Sequence, residues 1–175
     1  MRRAPPMLLA LAAAILVVGC TAAPRAVAPP ARVVALPPAP APAPPAADWL
    51  EWAVTAGTWR YGRDERGTVA MFGAVGADAV AVLRCDRQGG RLFLSVAGDT
   101  PTPLTVRTSS IARTVQLGAT GGTPSYLAAT LAPADPLLDA MAFSRGRFAL
   151  SRAGAAPLVL PAWAEVGRVI EDCRA

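Results

Sequence analysis

The sequence predicts a mainly β fold, a small antiparallel β-sandwich or barrel with a C-terminal α-helix closed by a disulfide, preceded by a disordered tether rich in Pro and Ala. Every Trp, Tyr and Phe lies beyond residue 48. Short runs of Val, Leu, Thr and aromatic residues alternate there with Gly, Asp and Pro, and the final segment has the spacing of an amphipathic helix. These observations divide the chain into segments 1–19, 20–47 and a single domain, 48–175.

The first segment, 1–19, has the features of a signal peptide. Two arginines precede residues 7–18, an uncharged stretch that is too short to span a bilayer. Residues 16–20 read Leu-Val-Val-Gly-Cys, which resembles the lipobox of bacterial lipoproteins. The resemblance implies that Cys20 becomes the first residue of the mature chain and carries the lipid.

A lipid at Cys20 would hold the protein on a membrane of the cell envelope, with its domain in the periplasm. Thr21 stands where an Asp would favour retention in the inner membrane, so the outer membrane is the predicted location. Residues 24–45 contain nine prolines. This composition favours extended polyproline II structure, which makes segment 20–47 a spacer between the membrane and the domain.

Nine strands are predicted from short apolar runs bounded by turn residues. They lie near 58–61, 69–72, 79–85, 91–96, 104–108, 112–117, 126–131, 147–150 and 158–160. Because side chains alternate between the two faces of a strand, Leu83 and Cys85 share one face while Arg84 lies on the other. The next strand places Leu92, Leu94 and Val96 on one face and Arg91, Phe93 and Ser95 on the other.

Two helices are predicted after the seventh strand. Asp135 and Pro136 suit the N-cap and first turn of a helix that reaches Phe143. The second helix is predicted from about Pro161 to Cys173. Its apolar stripe consists of Trp163, Val166, Ile170 and Cys173.

The cysteines predict one disulfide. With Cys20 assigned to the lipid, Cys85 and Cys173 remain as a pair in a compartment that does not reduce disulfides. The bond would join the terminal helix to the sheet. It would close a loop of 88 positions, which restricts the unfolded chain by about 4 to 5 kcal/mol in the chain-entropy model.

The domain resembles a loose group of small exported bacterial domains. Its early Trp49 and Trp52, the sequence Leu-Arg-Cys at 83–85, and a terminal segment from Trp163 to Cys173 match the pattern of that group. The group includes the invasion-associated locus B-like proteins and accessory proteins of type VI secretion. The resemblance implies a β-sandwich with a terminal helix, and it carries no activity with it.

Composition excludes several function classes. The chain has no His, and all 17 basic residues are Arg. Triads and dyads that need His or Lys, a P-loop lysine, pyridoxal chemistry and a His-based zinc site are therefore absent, so neither cofactor nor metal is predicted. From Asp48 onward 13 arginines face 12 acids, which gives no electrostatic case for nucleic-acid binding.

Two groups of residues are candidate ligand sites. Arg145 and Arg147 flank a glycine, so their guanidiniums could clamp a carboxylate or phosphate. The alternative is a surface turn whose arginines pair with Asp135, Asp139, Glu171 or Asp172, and that interpretation is favoured. Trp59 and Tyr61 could stack on sugar rings of a cell-wall glycan, together with Trp49 and Trp52. Packing in the core is the favoured alternative for these aromatics.

Three functions remain open at this point. The leading hypothesis is a non-enzymatic envelope lipoprotein, a binding module that uses a sheet face or the Arg145/Arg147 turn to contact an envelope protein or a cell-wall glycan. The second is an inhibitor or regulator of a periplasmic hydrolase. The third is an enzyme that relies on carboxylates, which would need a deep acidic cleft.

Overall fold

The computed structural model describes residues 48–175. The predicted signal peptide, the lipid on Cys20 and the tether lie outside the described residues. None of the helices within 48–175 is long and apolar enough to cross a membrane.

Ten strands and two short α-helices follow a single 3-10 turn, Trp49–Glu51. The strands are β1 (Thr58–Asp64), β2 (Gly67–Gly73), β3 (Ala81–Asp86), β4 (Arg91–Ala97), β5 (Leu104–Arg107), β6 (Ala112–Val115), β7 (Gly118–Ala119), β8 (Tyr126–Leu131), β9 (Arg147–Arg152) and β10 (Leu158–Pro161). The helices are α1 (Pro136–Ala142) and α2 (Ala164–Asp172).

All strand pairs are antiparallel, and they form two sheets. One sheet has the order β1-β2-β3-β4-β8-β7, and the other has the order β10-β9-β5-β6. Each sheet has two edge strands and does not close on itself. Of the two predicted alternatives, the fold is therefore the β-sandwich and not the barrel. The mainly β prediction is confirmed.

One hydrophobic core lies between the sheets and under the helices. In the six-stranded sheet, the predicted alternation is confirmed, since Leu83, Cys85, Leu92 and Leu94 are at most 1% exposed. The four-stranded sheet contributes Leu104, Val106, Phe148, Leu150 and Leu160, and the helices contribute Leu137, Leu138, Met141, Val166, Val169 and Ile170. Helix α2 packs against β1, β2 and β3.

The helix caps explain where α1 begins and why α2 is shorter than predicted. Asp135 accepts a hydrogen bond from the Leu137 N–H at 2.9 Å, which confirms it as the N-cap of α1. Pro161 continues β10, where it lies opposite Arg147, so α2 begins only at Ala164. Trp163 therefore becomes the extended N-cap residue and is 47% exposed, and its predicted place in the buried stripe is wrong.

The predicted disulfide is confirmed. Cys85 of β3 bonds to Cys173, the C-cap residue of α2, and their Cα atoms are 5.4 Å apart. The bond fastens the helix to the face of the sheet that it covers. The two-residue strand β7 is the element that the sequence did not predict, because Gly118 and Ala119 offer no alternation of apolar and polar side chains.

Candidate functional site

The second face of the six-stranded sheet carries an open groove. Its volume is about 750 Å³, within the range of sites for small molecules. The outer groove is defined by its floor, one row of residues that crosses the sheet: Arg60, Met71, Val82, Ser95, Ala128 and Gly118.

The transverse row follows directly from the strand register. Arg60 of β1 lies opposite Met71, Met71 opposite Val82, and Val82 opposite Ser95. Ser95 lies opposite Ala128, and Ala128 opposite Gly118. Residues directly opposite one another project from the same face, so the six positions form a continuous strip. The strip narrows to small side chains toward β7, which leaves room above the sheet there.

One flank of the outer groove is a row of larger side chains. Arg84 lies opposite Val69 on one side and opposite Phe93 on the other. The Arg84 Nη1 donates to Asp64 Oδ2 at 2.6 Å, and this hydrogen bond is the main reason that the pKa of Asp64 is lowered. Phe93 is only partly buried although it sits in a central strand.

A second ion pair lies further along this flank. Arg66 Nη2 donates to Asp86 Oδ2 at 3.0 Å. The backbone N–H of Gly89 is the largest cause of the lowered pKa of Asp86, and Arg66 adds to it. Arg66 and Arg84 therefore line the groove as arginines whose charge is already partly matched.

The opposite flank is formed by Tyr126 and by the loop between β2 and β3. The Tyr126 hydroxyl donates to the Ala79 carbonyl oxygen at 2.7 Å, which holds the ring across the upper edge of the groove. Burial raises the pKa of Tyr126, and the nearby carboxylate of Asp78 raises it further. Asp78 also lines the groove, so this flank carries a negative charge.

Arg60 closes the β1 end of the transverse row. Its Nη1 donates to the Ala74 carbonyl oxygen at 3.1 Å, and within residues 48–175 it forms no ion pair. A guanidinium carries five N–H donors. Most of the donors of Arg60 are therefore available to a bound group.

The structure places Trp59 and Tyr61 on the other face of the same strand. Trp59 is 5% exposed, its Nε1 donates to the Pro161 carbonyl oxygen at 2.8 Å, and its ring meets Phe72 edge-on. The Tyr61 hydroxyl donates to Asp172 Oδ2 at 2.6 Å, and the Arg168 guanidinium lies 4.2 Å above the ring. Both aromatics connect β1 to its neighbours and do not line the outer groove.

The other two predicted aromatics lie at the start of the described chain. Trp49 begins the 3-10 turn, and Trp52 is its C-cap residue. The Arg107 guanidinium lies 5.7 Å from the centre of the Trp52 ring. Neither tryptophan lines the outer groove.

Arg145 and Arg147 flank a true turn, since Gly146 has a φ of +76°. Arg147 Nη1 donates to the carbonyl oxygens of Leu50 and Trp52 at 3.3 and 3.5 Å. Arg145 is exposed and lines a separate shallow depression beside Phe143. The two side chains therefore have different surroundings.

The acids proposed to pair with these arginines have other partners. Asp135 binds Arg113 at 2.8 Å, and Asp139 binds Arg174 at 2.8 Å. Asp172 accepts from the Tyr61 hydroxyl. Within the described range, no group of three or more acidic or cysteine side chains could hold a metal ion.

The outer groove contains residues that sequence analysis did not propose as a site. One signal was present, because the alternation in β4 puts Phe93 on the face opposite the core. An aromatic residue on a face that also carries arginines indicates a surface with a use beyond solvation.

No family model, curated protein or solved structure matches the chain.

Proposed function

We propose that this chain is a lipid-anchored lipoprotein of the cell envelope whose domain is a non-enzymatic binding module. Its ligand occupies the outer groove. The observation that carries the proposal is that the second face of a central sheet is apolar along its floor and has no structural element of residues 48–175 over it. Apolar clefts with a few convergent polar groups are the usual form of sites for small molecules.

The ionised state of the acids supports binding over catalysis. Asp64, Asp86 and Asp135 all have lowered pKa values, caused by arginine and backbone N–H donors. A carboxyl group that acts as a general acid needs a raised pKa. With His and Lys absent from the sequence, the chain has few groups that could carry protons at neutral pH.

The proposed location of the module in the cell envelope rests on the sequence. The lipobox-like residues 16–20 supply the anchor, and the Pro-rich segment supplies the reach. When the chain is expressed in bacteria grown with an alkyne-labelled fatty acid, the wild-type chain should become labelled and the Cys20→Ser variant should not. Equal labelling of the two chains would refute the anchor.

The binding function is tested by filling the outer groove. We expect the full chain carrying Cys20→Ser, recovered from the envelope without detergent, to retain a bound small molecule in native mass spectrometry. Adding Ala128→Trp should abolish the bound mass, because the indole would occupy the floor.

The matched control is Ala112→Trp, an identical change at an exposed position of β6 in the other sheet. It should leave the bound mass unchanged. Circular dichroism should show the same fold in both variants. An absent bound mass in the parent chain, or equal occupancy in the Ala128→Trp and Ala112→Trp chains, would contradict the proposal.

A further inference from the structure

The geometry of the outer groove points to a single-chain amphiphile with an anionic headgroup as its ligand. We infer that the headgroup binds at Arg60 and that one acyl chain lies along the transverse row toward Gly118. This inference rests on the proposed binding function and adds the chemical class of the ligand.

The length and shape of the floor suit one extended acyl chain. The row spans six strands, and neighbouring strands are about 4.8 Å apart, so the floor is about 24 Å long. It is continuous, and it is bordered by Val69, Arg84 and Phe93 on one flank and by Tyr126 and the loop between β2 and β3 on the other.

The chemistry of the floor is apolar after its first position. Met71, Val82 and Ala128 present only carbon and sulfur atoms, and Ser95 is 9% exposed. Phe93 and Val69 add apolar walls. Moving a methylene group from water onto such a surface is favourable in free energy. Each methylene group that is fully buried raises the affinity about fourfold.

The charges of the groove set the direction of the ligand. Arg60 is the groove arginine that forms no ion pair with the described residues, whereas Arg66 and Arg84 bind Asp86 and Asp64. The planar guanidinium fork matches a carboxylate or a phosphate. The anionic head therefore belongs at the β1 end.

The far end of the row is open. A side chain added at Gly118 would meet nothing within 4 Å. A chain longer than the floor can leave the sheet at this point, so its last carbons would remain in water. Affinity should rise with chain length and then level off.

The test uses the full Cys20→Ser chain and defined probes below their micelle concentrations. Dodecanoate carries a carboxylate head, dodecyl phosphate a phosphate head and dodecyltrimethylammonium a cationic head, all on the same tail. Titration calorimetry should show binding of one or both anions at least tenfold tighter than the cation. The preferred anion distinguishes a free fatty acid from a phosphorylated lipid fragment as the source.

Two variants locate the head and the tail. Arg60→Gln should weaken the anionic probes about 10- to 100-fold, the loss expected for a charge-assisted hydrogen bond, and should not weaken the cationic probe. Arg145→Gln is the matched control outside the groove and should change nothing. Ala128→Trp should abolish binding of every probe.

Several results would overturn this inference. The first is tighter binding of the cationic probe than of either anionic probe. The second is equal binding of the probes to the Ala128→Trp chain and to the parent chain. The third is an affinity for the anionic probes that Arg60→Gln leaves unchanged. A bound mass from the envelope that Ala128→Trp removes, together with no binding of any probe, would refute the amphiphile while the proposed binding module stands. An affinity that does not rise from octanoate to dodecanoate would refute the placement of the tail.

Discussion

The two faces of the six-stranded sheet are built by the same strands but differ in burial. Leu83 and Val82 are neighbours in β3, yet Leu83 is fully buried and Val82 lies on the floor of an open groove. The inner face is covered by the four-stranded sheet and by α2, which the disulfide holds in place. Among residues 48–175, only loops border the outer face, at its upper edge.

The difference shows that alternation assigns side chains to faces but does not say what covers each face. A strand of an antiparallel sheet that is buried on one side reads as apolar and polar residues in turn. The outer face here departs from that pattern, because Met71, Val82 and Phe93 add apolar groups to it. An apolar second face without a covering element is the mark of an interaction surface.

The largest expected effect concerns the bond that holds the inner face closed. The double variant Cys85→Ala with Cys173→Ala should lose about 4 kcal/mol of unfolding free energy, because the bond closes a loop of 88 positions. Denaturant unfolding followed by circular dichroism measures this change. Wild-type protein in reductant should show a similar loss, whereas a loss below about 1 kcal/mol would mean that the bond adds little to the closure of this face.

A matched pair of substitutions compares the faces directly. Val96→Thr on the inner face should cost about 1 to 3 kcal/mol, because its hydroxyl would be buried without a partner. Val82→Thr on the outer face should cost less than about 0.5 kcal/mol, since its hydroxyl reaches water. Equal losses in denaturant unfolding would show that the outer face is sealed and that no groove exists.

The smallest effect concerns an acid that caps a helix on the covered side. The guanidinium of Arg113 and the Leu137 N–H lower the pKa of Asp135 below its usual 3.8. Ionised Asp135 therefore raises the free energy of unfolding at pH values above the usual pKa. This contribution is lost as the pH falls through the lowered pKa of the folded state. Asp135→Asn keeps the cap and removes the charge, so it should cost about 0.5 to 1 kcal/mol at pH 7.

The pH profile of stability checks the same group. The difference between wild type and Asp135→Asn should shrink as the pH falls from about 5 toward 2. Asp64→Asn on the outer face should alter stability at acid pH less than Asp135→Asn does, and a larger effect at Asp64 would reverse the expected ranking of the faces.

Much of the fold was accessible from local patterns. The N-cap at Asp135, the faces of β3 and β4, and the pairing of Cys85 with Cys173 were each predicted before the strands had been arranged in space. Trp163 shows the limit of such patterns. Its spacing from Val166 fits a helical stripe, but Pro161 is used by β10, so the helix begins too late to include it.

The candidate site was less accessible than the fold. The sequence proposes Arg145 with Arg147, and Trp59 with Tyr61, as groups of residues that are neighbours in the chain and have suitable chemistry. The structure instead brings together side chains from six strands, and of these the sequence assigns only Arg84, Phe93 and Ser95 to the face opposite the core. The register that puts Ser95 opposite Ala128 joins segments that are 33 positions apart in the chain.

The sequence by itself determined which residues form nine of the ten strands, which side chains share a face in β3 and β4, and which cysteines pair. These follow from periodicity and from the count of residue types, and both can be read along the chain. Only the tertiary structure decided that one face of the large sheet is sealed and the other open. That outcome depends on the order and register of distant strands, which are set by the packing of the whole core.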